Sequence, residues 1–180
     1  TFRDKAFRDV RGNPDEANFM IRGCCFTPDG RYVYLLASRV RYKTFLVQYS
    51  ITPQYDKFEF NAVSVTDVHE HASTGMCMSP DASYISIMTS DGWIKTVDAS
   101  TKKMLISQKR HNLPVTCTSF FAPDGSTPSH VISGSADYTY NLIPLPRDST
   151  IWNMLTHLLM VIFVQVPVML VIIVYLIGGN

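Results

Sequence analysis

Two histidines flank a glutamate at His69-Glu70-His71, and a third stands at His111. Imidazoles at i and i+2 of an extended chain share one side, a geometry that could seed a zinc site. Two ligands are too few, however, and no cysteine pair lies nearby at ligand spacing. The four cysteines, Cys24, Cys25, Cys77 and Cys117, include no C-x-x-C and have no histidine in a nucleophile context. They sit in apolar, strand-like runs, where small buried thiols are expected. No glycine-rich loop precedes Lys-Ser/Thr, and no carboxylate pair is placed for acid–base work. Arg39, Arg41 and Lys43, and the cluster Lys109-Arg110-His111, could meet phosphates or an acidic partner but read better as solvated surface. The chain therefore predicts no catalytic residue, no metal site and no cofactor site of its own.

The histidines make better sense as parts of a repeat. Cys24-Cys25-Phe26-Thr27-Pro28-Asp29-Gly30, Met76-Cys77-Met78-Ser79-Pro80-Asp81 and Ser119-Phe120-Phe121-Ala122-Pro123-Asp124-Gly125 are each followed by a strand-like run. Their prolines stand 52 and 43 residues apart. Proline presets φ at the second position of a turn, and Asp and Gly tolerate the rest of a tight reversal. A strand, a Pro-Asp turn and a second strand recurring at this interval predict an all-β fold, a partial WD-type β-propeller. The next turns are Ser90-Asp91-Gly92 and Ser135-Ala136-Asp137. In WD blades the Asp of this turn bonds back to a His before the first strand, so His71 is expected to serve Asp91, and His111 to serve Asp137. Val97 and Ile143 replace the signature Trp, so the repeats are degenerate. Outer strands are expected over 60–68 and 104–108, and the third unit has no room for one. Three blades cannot close a ring, because an open stack leaves apolar faces and unpaired edges.

Leu158 to Ile177 is a run of twenty residues with no charge, interrupted only by Gln165 and Pro167. As a helix it is ~30 Å long, the thickness of a bilayer's hydrocarbon core. Trp152 stands near one end and Tyr175 near the other, as interfacial rings do. A single transmembrane helix is expected, with Leu158 and Ile177 at its ends and Pro167 tolerated inside. Arg147 lies on the body side and the tail has no Lys or Arg, which puts the body in the cytosol. No asparagine before the span begins an Asn-x-Ser/Thr acceptor, which agrees. The expected organisation is 1–22 as the end of a preceding blade or linker, 23–145 as three blades, 146–157 as a juxtamembrane linker, 158–177 as the anchor and 178–180 as a short lumenal tail. The chain begins at Thr1 rather than Met, so upstream blades are expected. The formal charge is +1, which argues against nucleic acid as a partner.

Degenerate WD blades leading straight into an apolar span resemble the endoplasmic-reticulum exchange factors of the Sar GTPase, the prolactin regulatory element-binding protein family. Phe19 to Phe26, His69-Glu70-His71, Arg110 to Thr116 and above all Leu142-Ile143-Pro144-Leu145-Pro146-Arg147 carry the resemblance. It implies a seven-bladed cytosolic propeller on the endoplasmic reticulum membrane. Such a propeller recruits a Sar-type small GTPase and exchanges its GDP for GTP, starting COPII vesicle formation and transport to the Golgi. In that family the exchange loop organises around a potassium ion in the N-terminal blade. These residues have no counterpart here, so neither a catalytic position nor the potassium site carries over. The alternative is a non-catalytic, membrane-tethered scaffold that docks proteins.

Overall fold

In the computed structural model the described residues are 19–39, 43–55, 57–125 and 127–146. They form strands β1 (Phe19–Phe26), β2 (Tyr32–Arg39), β3 (Thr44–Gln54), β4 (Lys57–His69), β5 (Ser73–Met78), β6 (Tyr84–Thr89), β7 (Trp93–Asp98), β8 (Met104–Lys109), β9 (Val115–Phe121), β10 (His130–Ser135) and β11 (Tyr140–Pro144). These pair antiparallel in sequence order into two four-stranded sheets, β1–β4 and β5–β8, and one three-stranded sheet, β9–β11. The outer strands β4 and β8 lie where they were expected, and the third sheet has none among the described residues. The three sheets belong to one compact unit that ends at Leu145. No helix among the described residues is long and apolar enough to cross a membrane. The expected anchor, including Leu158, Pro167 and Ile177, lies outside the described residues, as do residues 1–18.

The first and second sheets share a turn built by the same chemistry, whereas in the third Ala122 stands where they have Thr27 and Ser79. Thr27 donates its hydroxyl to Asp29, whose carboxylate also accepts the Arg31 amide. Ser79 and Ser83 do the same for Asp81. Gly30 and Gly125 take φ of 68° and 76°, and Ala82 accepts 57° at the equivalent place. That left-handed position is why glycine recurs there.

The sheets stack through apolar side chains, with first strands β1, β5 and β9 side by side. Tyr34, Leu36 and Leu46 of the first sheet meet Ile85, Ile87 and Val97 of the second. On the second sheet's other face, Met88, Ile94 and Ile106 meet Val115, Val131, Ile143 and Leu145. Alternation along a strand sends neighbouring side chains to opposite faces, so β6 serves both clusters. Polar links fix the register between sheets: Tyr34 Oη donates to the Ala99 carbonyl at 2.9 Å, and Thr74 Oγ1 donates to the Val115 carbonyl at 2.6 Å. The far face of the third sheet leaves Phe121, Ile132, Tyr140 and Leu142 exposed.

The cysteines depart from expectation. Cys24 and Cys117 are exposed, and Cys25 and Cys77 are half-buried. All four lie on β1, β5 or β9, the first strands of their sheets, which the other strands cover on one edge only. Apolar neighbours in the sequence could not reveal that these strands are edges.

Among the described residues one buried side-chain group is left unsatisfied: Thr96 Oγ1, fully enclosed on β7, has no hydrogen-bond partner. An unpaired buried hydroxyl loses its hydration without compensation, whereas valine has the same shape and no such demand. Thr96→Val is expected to leave the protein as stable or more stable by about 1 kcal/mol. Urea unfolding followed by tryptophan fluorescence measures this, and a loss of stability would refute it.

Candidate functional site

The chemistry-bearing side chains collect at one rim of the stack, where second strands turn into third strands and outer strands pass to the next sheet. In the third sheet, His111 is buried between Thr139 and Ser133. Thr139 Oγ1 lies 2.6 Å from Asp137 Oδ1 and must donate there, because a carboxylate only accepts. It therefore accepts from His111 Nδ1 at 2.8 Å, and in the neutral imidazole Nε2 then accepts from the Ser133 hydroxyl at 2.9 Å. Asp137 Oδ1 stands 3.5 Å from the same Nδ1 and is joined to it through Thr139. Asp137 also accepts the Asn112 amide at 2.8 Å, tying the loop before β9 to the β10–β11 turn.

Ser133, His111 and Asp137 thus have the order of a hydrolytic triad. Ser133 is 1% exposed, so no substrate can reach its oxygen. A nucleophile must be within reach of its substrate and of a stabilising donor pair, and this hydroxyl is sealed in the stack. The constellation is a structural clamp.

The second sheet uses a different residue from the one expected. His69 Nε2 lies 2.9 and 3.1 Å from the two Asp91 oxygens and its side chain is 8% exposed. His71 Nε2 lies 3.9 Å away, on a side chain 63% exposed. The assignment of His71 to Asp91 is therefore corrected to His69. The reason is local: β4 ends at His69, and the chain then bends through Glu70 and His71. The sheet uses the backbone of His71, whose carbonyl accepts the Thr44 hydroxyl at 2.8 Å, and leaves its ring outside. Thr89 completes the clamp by donating to Asp91 at 2.6 Å and accepting the Trp93 amide at 2.8 Å. Between the first and second sheets, Ser38 bonds Thr44 at 2.9 Å and Ser73 at 2.7 Å, a hydroxyl cluster with no histidine in it.

Electrostatics follow the hydrogen bonds. The Thr139 hydroxyl and the Asn112 and Thr139 amides outweigh a burial penalty and hold Asp137 far below the usual carboxylate range. Burial alone would raise Asp91, but bonds from Thr89 and His69 bring it below its ordinary value. Among the described residues no three metal-ligating side chains converge. Of the expected basic surfaces, Lys43 is paired with Asp67 at 2.7 Å, and His111 belongs to the interior rather than to a cluster with Lys109 and Arg110.

Sequence reasoning missed His69, Ser133 and Thr139. Asp137-Tyr138-Thr139 is a readable turn signature, since an Asp side chain commonly accepts the amide two residues on. Nothing in the sequence distinguishes His69 from His71, because the irregular register between Thr44 and Phe45 that turns the strand's end inward is a property of the pairing.

No protein-family model and no curated protein matches the chain. Among solved structures it is similar to the crystal structure of Sqt1 from Chaetomium thermophilum, with a TM-score of 0.53 and 19% identity over 69% of this chain. The chain spans 30% of that protein's length. A likeness at that identity is one of fold. The repeated antiparallel sheets and this neighbour are consistent with a partial WD-type β-propeller fold, with three blades among the described residues.

Two predictions follow from the clamps. His69→Ala should destabilise the protein by about 2 kcal/mol, since it strands a partner of a carboxylate, while His71→Ala should change stability by less than about 0.5 kcal/mol. Equal effects in denaturant unfolding would restore the original assignment. Because the Asp137 carboxyl is depressed in the folded state, its stabilising contribution is complete above the ordinary carboxylate range and is lost as pH falls toward the folded value. Asp137→Asn should therefore lower the melting temperature at pH 7 and flatten its fall below pH 4, as differential scanning fluorimetry would record.

Proposed function

We propose that these residues are the C-terminal blades and anchor of a membrane-tethered, seven-bladed WD-type propeller. In this reading the protein is a guanine nucleotide exchange factor for a Sar-type small GTPase. It acts on the cytosolic face of the endoplasmic reticulum membrane and starts COPII assembly and transport to the Golgi. The observation that carries the reading is the way the last blade ends. β11 is the final described strand, no outer strand follows it among the described residues, and in the sequence Leu145-Pro146 leads through Arg147 and Trp152 into the uncharged run 158–177. The exposed face of the third sheet, with Phe121, Ile132 and Leu142, supports a ring that continues with further blades.

Exchange asks no covalent chemistry of the protein. A factor that binds the nucleotide-free GTPase more tightly must weaken nucleotide binding by the same ratio, and each tenfold corresponds to about 1.4 kcal/mol. The anchor would confine that coupling to one membrane. The exchange loop of the family has no counterpart in these residues, so the 180-residue chain contributes body and tether rather than the exchanging element.

The test is GDP release from a Sar-type GTPase on vesicles, with the complete gene product and with the 180-residue chain. The complete product is expected to accelerate release at least tenfold, and the chain alone to leave the intrinsic rate unchanged. Binding without acceleration by the complete product would replace this reading with the tethered scaffold.

A further inference from the structure

The β3–β4 hairpin is longer than its counterpart in the second sheet. The last rungs that the two share are Tyr32 with Ser50 and Tyr84 with Asp98. Beyond Asp98 the second sheet turns at once, through Ala99. Beyond Ser50 the first sheet continues for four more residues, Ile51–Gln54, with Gln54 paired to Lys57. At ~3.3 Å per residue the hairpin extends ~13 Å past its neighbour. Its end carries Tyr55, fully exposed, then Phe58 at 69% and Phe60 at 54%. Phe58 and Phe60 alternate on one face of β4, an outer strand that no further strand covers among the described residues.

The same rim is where the chain leaves the third sheet. The Ile51 amide donates to Arg31, the Ala99 amide to Ser83 and the Leu145 amide to Ser129, each bond at the start of its second strand. Ile51, Ala99 and Leu145 are therefore equivalent positions, at the end where all three third strands point. Leu145 is followed by Pro146, then by eleven residues before the uncharged run begins at Leu158. Fully extended, those eleven residues reach only ~40 Å. Tyr138, as exposed and as aromatic as Tyr55, sits in the β10–β11 turn at the opposite rim.

We infer that the aromatic end of the β3–β4 hairpin docks into the interfacial region of the bilayer that holds the anchor, so that this rim faces the membrane. Aromatic rings prefer the boundary between headgroups and acyl chains, where an apolar body and a polar tip are both accommodated. In sequence the hairpin's end carries Asp56 and Glu59 against Lys57, a net negative charge that anionic lipid would not attract, and Glu59 is held by Gln54 at 3.0 Å. The contact is therefore driven by the rings and does not require anionic lipid. With the opposite rim turned away, Tyr138 faces the aqueous side.

The inference rests on reading 158–177 as the anchor, and the test separates the two. The full chain is reconstituted in phosphatidylcholine vesicles containing a phosphatidylcholine with a diazirine near the headgroup end of its acyl chain. It is then irradiated and digested, and the adducts are mapped by mass spectrometry. Labelling over 50–61 is expected to exceed that around Tyr138 at least tenfold, alongside labelling of 158–177. The variant Y55S/F58S/F60S, with an unchanged circular dichroism spectrum, should bring 50–61 down to the level of Tyr138 and leave 158–177 labelled. If 158–177 is labelled but the hairpin only matches Tyr138, the anchor stands, the docking is overturned, and the rings are left as a surface for a protein partner. If neither segment is labelled, both readings are overturned.

Discussion

The structure depends on apolar side chains of one sheet being buried by the next. A single antiparallel sheet satisfies its own backbone hydrogen bonds but can bury neither face alone. Leu36 and Leu46 are enclosed because Ile85, Ile87 and Val97 stand opposite them. Ile94 and Ile106 are enclosed because Val131 and Ile143 do the same on the other side. The second sheet is thus the interior element of the three. Alternation along its strands supplies both clusters, and the orphaned Thr96 hydroxyl is where this two-sided demand goes unmet.

The polar clamps at the rim are secondary to that packing and differ from one blade to the next. In the third sheet, histidine, two hydroxyls and a carboxylate share one chain of hydrogen bonds. In the second, histidine meets the carboxylate directly, and Ile87 fills the strand position that Ser133 holds in the third. Between the first and second sheets, three hydroxyls suffice. What stays constant is the physical requirement that turn amides and buried side chains find partners, and several residue combinations meet it. Gly92 shows how tight the arrangement is: its φ is 86°, its carbonyl accepts the His111 amide, and an added Cβ would fall onto the His111 carbonyl. Loss of the signature Trp is tolerated because Val97 and Ile143 serve the apolar clusters instead.

Much of this was legible in the chain. The Pro-Asp turns marked where β1, β5 and β9 end, because proline and a φ-tolerant residue are local requirements of the reversal. The outer strands β4 and β8 followed from spacing. Burial was read less well. Four cysteines in apolar runs looked like core and proved half-buried or exposed, since whether a strand is an edge depends on its partners. The choice between His69 and His71 failed for a related reason, an irregular pairing with β3 that shifts which residue faces inward.

By itself the sequence determined the all-β character, the blade repeat, the turn chemistry and an uncharged run long enough to span a bilayer, because each is set by residues near one another in the chain. Only the tertiary structure decided which histidine is clamped, that the serine of a triad-like group is sealed from substrate, and that the aromatic hairpin shares a rim with the exit at Leu145. Those are relations between strands distant in sequence, and they exist only once packing has set how the sheets lie against one another.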